Sequence, residues 1–524
     1  MMSASGERAS ATTATTSNPF LPMGGPYRGA IIAYLILYHL IFPAFAVGDS
    51  AGPLIAFRLL SEALFVGLSV LPFIMLRQEG GWLHPLMLPV VLNLAKEVFK
   101  NPIALINPIG SPMVYLGAKT LSPATSLRLS DMELDLTRIG LTLTACLALV
   151  VYYAAYFGSR HFRWPKLPVA YGRNVAAVSL TVIAVSTVTA MILFEMSGGL
   201  SRYLVAMRGG RVALFANIGP VLDVITFSST ALLIWFAYER RPFVNPWFIG
   251  SLIVSLGLTL AATGSRSETV GPAVMLLLLW WRKTGRVRLA PIVILVVFAY
   301  AVLGGFGAIR QNYGSNSVDW SVIQSGDVSE WFNSATTETQ KRDNEEADLA
   351  VFAGANQYGL LWGRTYSYSV SFWIPRGIWP DKPRSADAYN MWVNFAGHGI
   401  DEALPRAGEG AFWGIPVGRV AEAYWNFHLI GVVIVSLLMG MYARSLTALA
   451  QQYAWIPAVI PIVAMMSQFA GTSKTFVALL RDIAFLVPLL WAMGVLVLGP
   501  RGVVRRGRGA SNRAVSASSG MARE

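Results

Sequence analysis

Apolar runs of about 20 residues recur along nearly the whole of this 524-residue chain, each long enough to cross the ~30 Å hydrocarbon core of a bilayer as an α-helix. In lipid a backbone must satisfy its own polar groups, which leaves helices and closed barrels as spanning structures, and unbroken runs of this length are helices. Spans are read at 29–48, 52–76, 83–99, 137–158, 174–196, 213–237, 244–262, 267–281, 289–309, 415–442, 455–470 and 476–498. The third and eighth are short. The third also carries Asn93, Lys96 and Glu97, so it is read either as a span or as a re-entrant segment. The expected fold is an all-α polytopic membrane protein with 11 to 12 transmembrane helices. Composition supports this: 54% of residues are hydrophobic and 13% charged, about half the charge of a soluble domain. A soluble enzyme, a secreted scaffold and a disordered chain are excluded. The single cysteine, Cys146, lies inside an apolar run and is read as a packing residue.

The net charge of +13 would suggest nucleic acid in a soluble protein, but here the basic residues fall between spans, where they report topology instead. Arg160, Arg163, Lys166 and Arg173 share one connection, Arg240 and Arg241 another, and Arg282, Lys283, Arg286 and Arg288 a third. Further arginines crowd the tail from Arg501 to Arg523. Because cytoplasmic loops retain positive charge, these connections and both termini are expected in the cytoplasm. The domain reading is a polar cytoplasmic segment over 1–27, spans one to nine over 28–309, a loop over 310–414, spans ten to twelve over 415–499 and a basic tail over 500–524. Residues 1–27 carry no short apolar core with a cleavage site, so the first span is expected to remain as a helix. The long loop between spans nine and ten is then extracytoplasmic. Its part 310–350 is Ser, Asn, Thr and acid rich and reads as flexible. Its part 351–414 is dense in Trp, Tyr, Pro and Gly and reads as an ordered cap.

Basic residues on the outer side run against the topological bias and need a separate reason. Arg266 interrupts two apolar spans in Thr263 to Glu268 (TGSRSE), and Arg481 precedes Asp482 at the start of an apolar helix. The loop and its exit add Arg364, Arg376, Lys382, Arg406 and Arg419. Guanidinium forks match phosphate oxygens bidentately, so converging arginines imply an anionic ligand with a lipid tail. A loop arginine taken alone is more often a solvated residue or a headgroup anchor, and Arg481 with Asp482 reads either as a structural ion pair or as a ligand site. His398, Glu409 and Glu422 are the candidates for proton transfer, weighed against cap hydrogen bonds. Glu422 is expected to share a helix face with Arg419 and to orient it. His39, His84 and His161 are read as packing or interfacial residues. There is no phosphate-loop glycine motif and no metal-ligand spacing, so neither cofactor nor metal is expected, and no paired repeats of the kind transporters carry.

Four short motifs resemble those of a known family. Ile374 to Pro383 (IPRGIWPDKP) and Pro416 to Phe427 (PVGRVAEAYWNF) are similar to the cap and exit motif of the oligosaccharide repeat-unit polymerases, the Wzy-type O-antigen polymerases of bacterial envelopes. Thr263 to Glu268 resembles that family's Gly-Ser-Arg turn, and Leu480 to Asp482 its late Arg-Asp step. One departure is His428, where the family pattern leads one to expect Gly. The resemblance implies transfer of a growing glycan from an undecaprenyl pyrophosphate carrier onto another lipid-linked repeat unit at the outer leaflet of the cytoplasmic membrane. It implies as partners the bilayer, a flippase and a chain-length regulator, and no nucleic acid. Pyrophosphate is already a weakly basic leaving group, so such an enzyme needs an acceptor base more than an acid or a metal. Within related chemistry a ligase-like transferase is the alternative, and outside it an exporter or flippase of lipid-linked glycan. The cap aromatics Trp362, Tyr366, Trp373, Trp379, Trp392 and Trp413 are read either as sugar platforms or as an interfacial belt.

Overall fold

The computed structural model describes residues 18–41, 54–77, 79–92, 127–204, 219–264, 266–285, 344–371, 374, 378–402, 415–467 and 472–497. These fold as helices, with isolated bridges at Pro22–Gly81 and Val169–Leu496 and no strand among the described residues. The helices are α1 (Gly25–Ile36), α2 (Ile55–Met75), α3 (Asp131–Gly158), α4 (Val175–Met196), α5 (Gly219–Tyr238), α6 (Pro246–Thr263) and α7 (Arg266–Thr284). After these come α8 (Asn344–Tyr358), α9 (Arg364–Ser371), α10 (Ala386–Asn390), α11 (Arg419–Gln452), α12 (Val459–Met466) and α13 (Thr472–Ala492). Six of them, α2 to α6 and α11, are long and apolar enough to cross a membrane, α5 over Val221–Tyr238. The chain is an all-α, membrane-embedded protein.

Helix boundaries follow local chemistry. Ser130 and Glu133 form a reciprocal capping box at the start of α3, Ser130 N donating to Glu133 Oε2 at 2.8 Å. Asn245 caps α6, which Gly264 ends in the left-handed conformation at φ +56°. Between α3 and α11 the approach is so close that a Cβ on Gly440 would collide with the Tyr152 carbonyl, the small-residue packing that lets membrane helices associate without a hydrophobic drive.

Contacts sort the connections to two ends of the bundle. At one end the chain after α3 runs beneath α11 and α13: Trp164 Nε1 donates to Ser445 O at 2.7 Å, and Arg173 N to Met493 O at 3.1 Å. Arg444 donates to Arg160 O at 2.7 Å, and Lys283 to the carbonyls of Phe236 and Glu239. Arg28, Arg77, Arg160, Arg282, Lys283 and Arg444 therefore share this basic end. The opposite end, a 28-residue helix or about 42 Å away along α3, holds the N-termini of α2 and α3 and the segment 344–402.

Two expected spans and one loop segment take a different form. The described part of 83–99 is irregular to residue 87 and helical only over 88–92, so His84 lies outside the spanning helices. Helix α8 begins at Asn344, within the stretch read as flexible. The tenth span is not one helix: Phe427 (φ −143°, ψ 25°) and His428 (φ +54°, ψ −148°) break α11. A Cβ on Gly431 would collide with the Ala423 carbonyl. In a straight helix those residues would be about 12 Å apart, so the short limb 419–427 folds back on the long one.

Candidate functional site

The short limb of α11 is held from both sides by the segment 344–402. Gly418 N donates to Asp348 Oδ1 at 2.5 Å and Val417 N to Asp387 Oδ1 at 3.1 Å, placing two carboxylates at the limb's N-terminus where the helix dipole favours them. A Cβ on Gly418 would press on the Asp348 carboxylate, which would have to shift from its bond to the Gly418 N–H. Farther along, Asn426 Nδ2 donates to Thr365 Oγ1 at 2.8 Å, and Leu361 N to Trp425 O at 2.9 Å. The apolar filling is Val351, Phe352, Leu361, Tyr389, Val393 and Trp425. Tyr424 stacks on Phe352 at 4.0 Å, and its hydroxyl stands 2.8 Å from His428 Nε2.

On this layer sits a histidine in a form suited to proton transfer. His398 Nδ1 lies 2.9 Å from Glu402 Oε2, and the ring stacks on Trp392 with centroids 3.9 Å apart. A carboxylate on Nδ1 fixes the tautomer with its proton there and leaves Nε2 with an open lone pair. The side chain is 43% exposed, so a solute can reach it. The loop carrying it is pinned by Arg364, which donates to Ile400 O at 2.9 Å and pairs with Asp401. Arg364 thus spends its fork on the loop.

Other expected site residues are placed as follows. Glu422 is 1% exposed in the same layer, with its carbonyl accepting from Asn426 Nδ2 at 2.8 Å. Arg419, one turn earlier, comes within electrostatic reach of Tyr152 on α3. Lys382 donates to Ile374 O at 2.7 Å. Arg481 lies within the bundle, 2.7 Å from Asp223 and 3.1 Å from Asp482. Arg266 is the first residue of α7, but its side chain, like Arg376, Arg406 and Glu409, lies outside the described residues. Of the arginines expected to converge, no described contact joins Arg419 to Arg481.

Several residues were missed by sequence reasoning. Glu402 follows His398 by four positions, a spacing that signals pairing on a helical turn. Asp223, Arg58 and Arg138 are ionisable residues within apolar helices, which alone marks them for attention. His84 is as expected a buried residue, 1% exposed. Its Nδ1 accepts from Leu86 N at 3.2 Å, so Nε2 carries the proton and donates to Tyr156 Oη at 3.2 Å; that hydroxyl donates to Thr447 Oγ1 at 3.1 Å, and Thr447 to Ala443 O at 3.0 Å. Burial, with Arg444 in reach, pulls the His84 pKa down to about 3. Among the described residues no three His, Cys, Asp or Glu side chains converge as a metal site would require.

The fold and the site together define a membrane-embedded helical protein with a histidine–carboxylate pair at the end opposite its basic connections. No family model, curated protein or solved structure matches this chain.

Proposed function

We propose that the chain is a repeat-unit polymerase of 11 to 12 spans that extends lipid-linked oligosaccharide on the outer face of a bacterial cytoplasmic membrane. In this reading both termini are cytoplasmic and the segment 310–414 caps the outer face. The single observation carrying it is the His398–Glu402 pair: an oriented imidazole, its Nε2 open, at the end away from the basic connections. Segregation of the basic loops to the other end supports the orientation.

The acceptor hydroxyl oxygen attacks the anomeric carbon of the donor, forming the new glycosidic bond as the carbon–oxygen bond to pyrophosphate breaks. Undecaprenyl pyrophosphate leaves with the electron pair, and the acceptor proton passes to His398 Nε2. Glu402 steadies the imidazolium that results. In this account Glu422 supports the short limb of α11 from within, and Arg364 holds the catalytic loop. An exporter of lipid-linked glycan is the second reading, favoured by the ion triad of Arg481, Asp223 and Asp482 between α5 and α13. The test is polymerisation of purified lipid-linked repeat units by the reconstituted protein. His398→Ala should slow chain growth about 100-fold while donor binding persists. Growth at the wild-type rate would remove His398 from the reaction.

A further inference from the structure

One charged cluster lies deep in the bundle, between α5 and α13. Arg481 donates through Nη1 to Asp223 Oδ1 at 2.7 Å and through Nε to Asp482 Oδ1 at 3.1 Å. Two carboxylates thus share one guanidinium, and the second oxygen of each meets no donor among the described residues. Asp482 stands about 15 Å along α13 from its end at Ala492, and Asp223 about 22 Å along α5 from its end at Tyr238. Both of these helix ends lie at the basic side, so the triad sits at the depth of the ~30 Å hydrocarbon core. With all three groups ionised it carries one net negative charge, which a membrane interior penalises heavily. One positive charge would balance it.

Beside Asp482 there is room for the group that brings that charge. A cavity of about 10 Å³, space for one water, lies between α5, α12 and α13. Its lining is apolar through Phe227, Ile462, Met465 and Leu486, and polar at Asp482 and Thr230. Thr230 is 6% exposed, and its hydroxyl has no hydrogen-bond partner among the described residues. An enclosed hydroxyl left unfilled is costly, so Thr230 points to an occupant independently of the two acids. A metal cation needs a shell of oxygen ligands, which a mostly hydrocarbon lining does not offer. A proton needs one carboxylate oxygen. Among the described residues the charged groups facing Asp482 are Arg481 and Asp223. Helix α11 adds Tyr442, whose hydroxyl donates to Met466 O at 3.2 Å, while α12 presents apolar side chains and α9, which also packs on α13, brings no charge into reach. None of these neutralises the second carboxylate.

We propose that the triad is an intramembrane proton site: one proton, taken from water, resides on the free oxygen of Asp482, and a water in the cavity bridges that group to Thr230 Oγ1. The triad is then neutral at rest, and release of the proton switches one charge within the hydrocarbon region, as a proton relay through a membrane requires. The site invokes neither His398 nor a glycan, so its test is separate from both functional readings. That test is infrared spectroscopy of the full-length protein in nanodiscs at pH 7, where exposed carboxylates, with ordinary pKa values of about 4, are ionised. The difference between wild type and Asp482→Asn should contain a protonated-carboxyl stretch, which alkali removes. Thr230→Val, similar in volume, should keep the band and move it to higher frequency as the bridge is lost, with the size-exclusion profile unchanged. Absence of the band from the folded wild type, its survival in Asp482→Asn, or an unmoved band in Thr230→Val would overturn the proposal. Loss of the band when sodium chloride replaces choline chloride would overturn it as well, in favour of a metal cation.

Discussion

His84 and His398 sit at opposite ends of the bundle and make opposite use of the same side chain. His84 is enclosed, and its chain of hydrogen bonds through Tyr156 and Thr447 ends on the Ala443 carbonyl, an acceptor with no proton to pass on. His398 is half-exposed, with Nδ1 held by Glu402. The first ring is a strut between α3, α11 and the irregular segment, whereas the second is open to solvent and, in the proposed reaction, takes the acceptor proton. What separates them is whether the hydrogen-bond chain stays open.

The contrast is broken most sharply by removing each ring in turn. His398→Ala should leave thermal stability within about 0.5 kcal/mol of wild type, as surface changes do, while the rate falls about 100-fold. His84→Ala should do the reverse, costing about 2–4 kcal/mol through a cavity and lost hydrogen bonds, with the rate per folded molecule nearly unchanged. Both are read by thermal unfolding beside the polymerisation assay. A rate loss in folded His84→Ala would mean that its chain carries protons after all.

Acid should separate the two ends as well. The folded-state pKa of His84 is depressed to about 3 against an ordinary value of 6.5, so its contribution is fully present above pH 6.5 and is lost as pH falls through the window down to 3. The slope is about 1.4 kcal/mol per pH unit from this one group. Unfolding of His84→Phe measured across the same window should lack that slope, and an unchanged slope would place the acid sensitivity in the carboxylates instead.

Smaller effects test the partner of His398. Glu402→Gln should lower the rate roughly 10-fold with KM unchanged, less than loss of the base itself, because it orients the ring and does not accept the proton. Glu402→Asp should recover part of the rate. A KM change with kcat intact would make Glu402 a binding residue.

How much of this was legible in the sequence differs by feature. Apolar runs announce themselves, since a span is a local property of about 20 consecutive residues, and α3, α4 and α6 lie where such runs are read. The break at Phe427 and His428 is not local in that sense: nothing in the apolar stretch after Asn426 marks it before Gly431. The one available sign was the glycine expected at 428 by resemblance, and 428 proves to have a backbone conformation that glycine adopts freely and histidine does not. Both His428→Gly and His428→Ala lose the bond to Tyr424, but only glycine relieves the strain, so the glycine variant should be the more stable of the two by roughly 1 kcal/mol or more. Pairings such as Arg481 with Asp223 join residues far apart in the chain, and no spacing rule reaches across that separation. Glu402 was within reach, four residues from His398, and Arg138 was readable as a charge inside an apolar helix.

The most direct measurement of the central claim is the lipid-linked glycan left in cells from which this gene has been deleted. A polymerase reading predicts single repeat units on their undecaprenyl carrier at the outer leaflet, with no longer chains, and restoration of polymer by the wild-type gene but not by His398→Ala. Finished polymer stranded on its carrier would contradict that account in favour of a ligase, and repeat units trapped on the inner leaflet would contradict it in favour of an exporter.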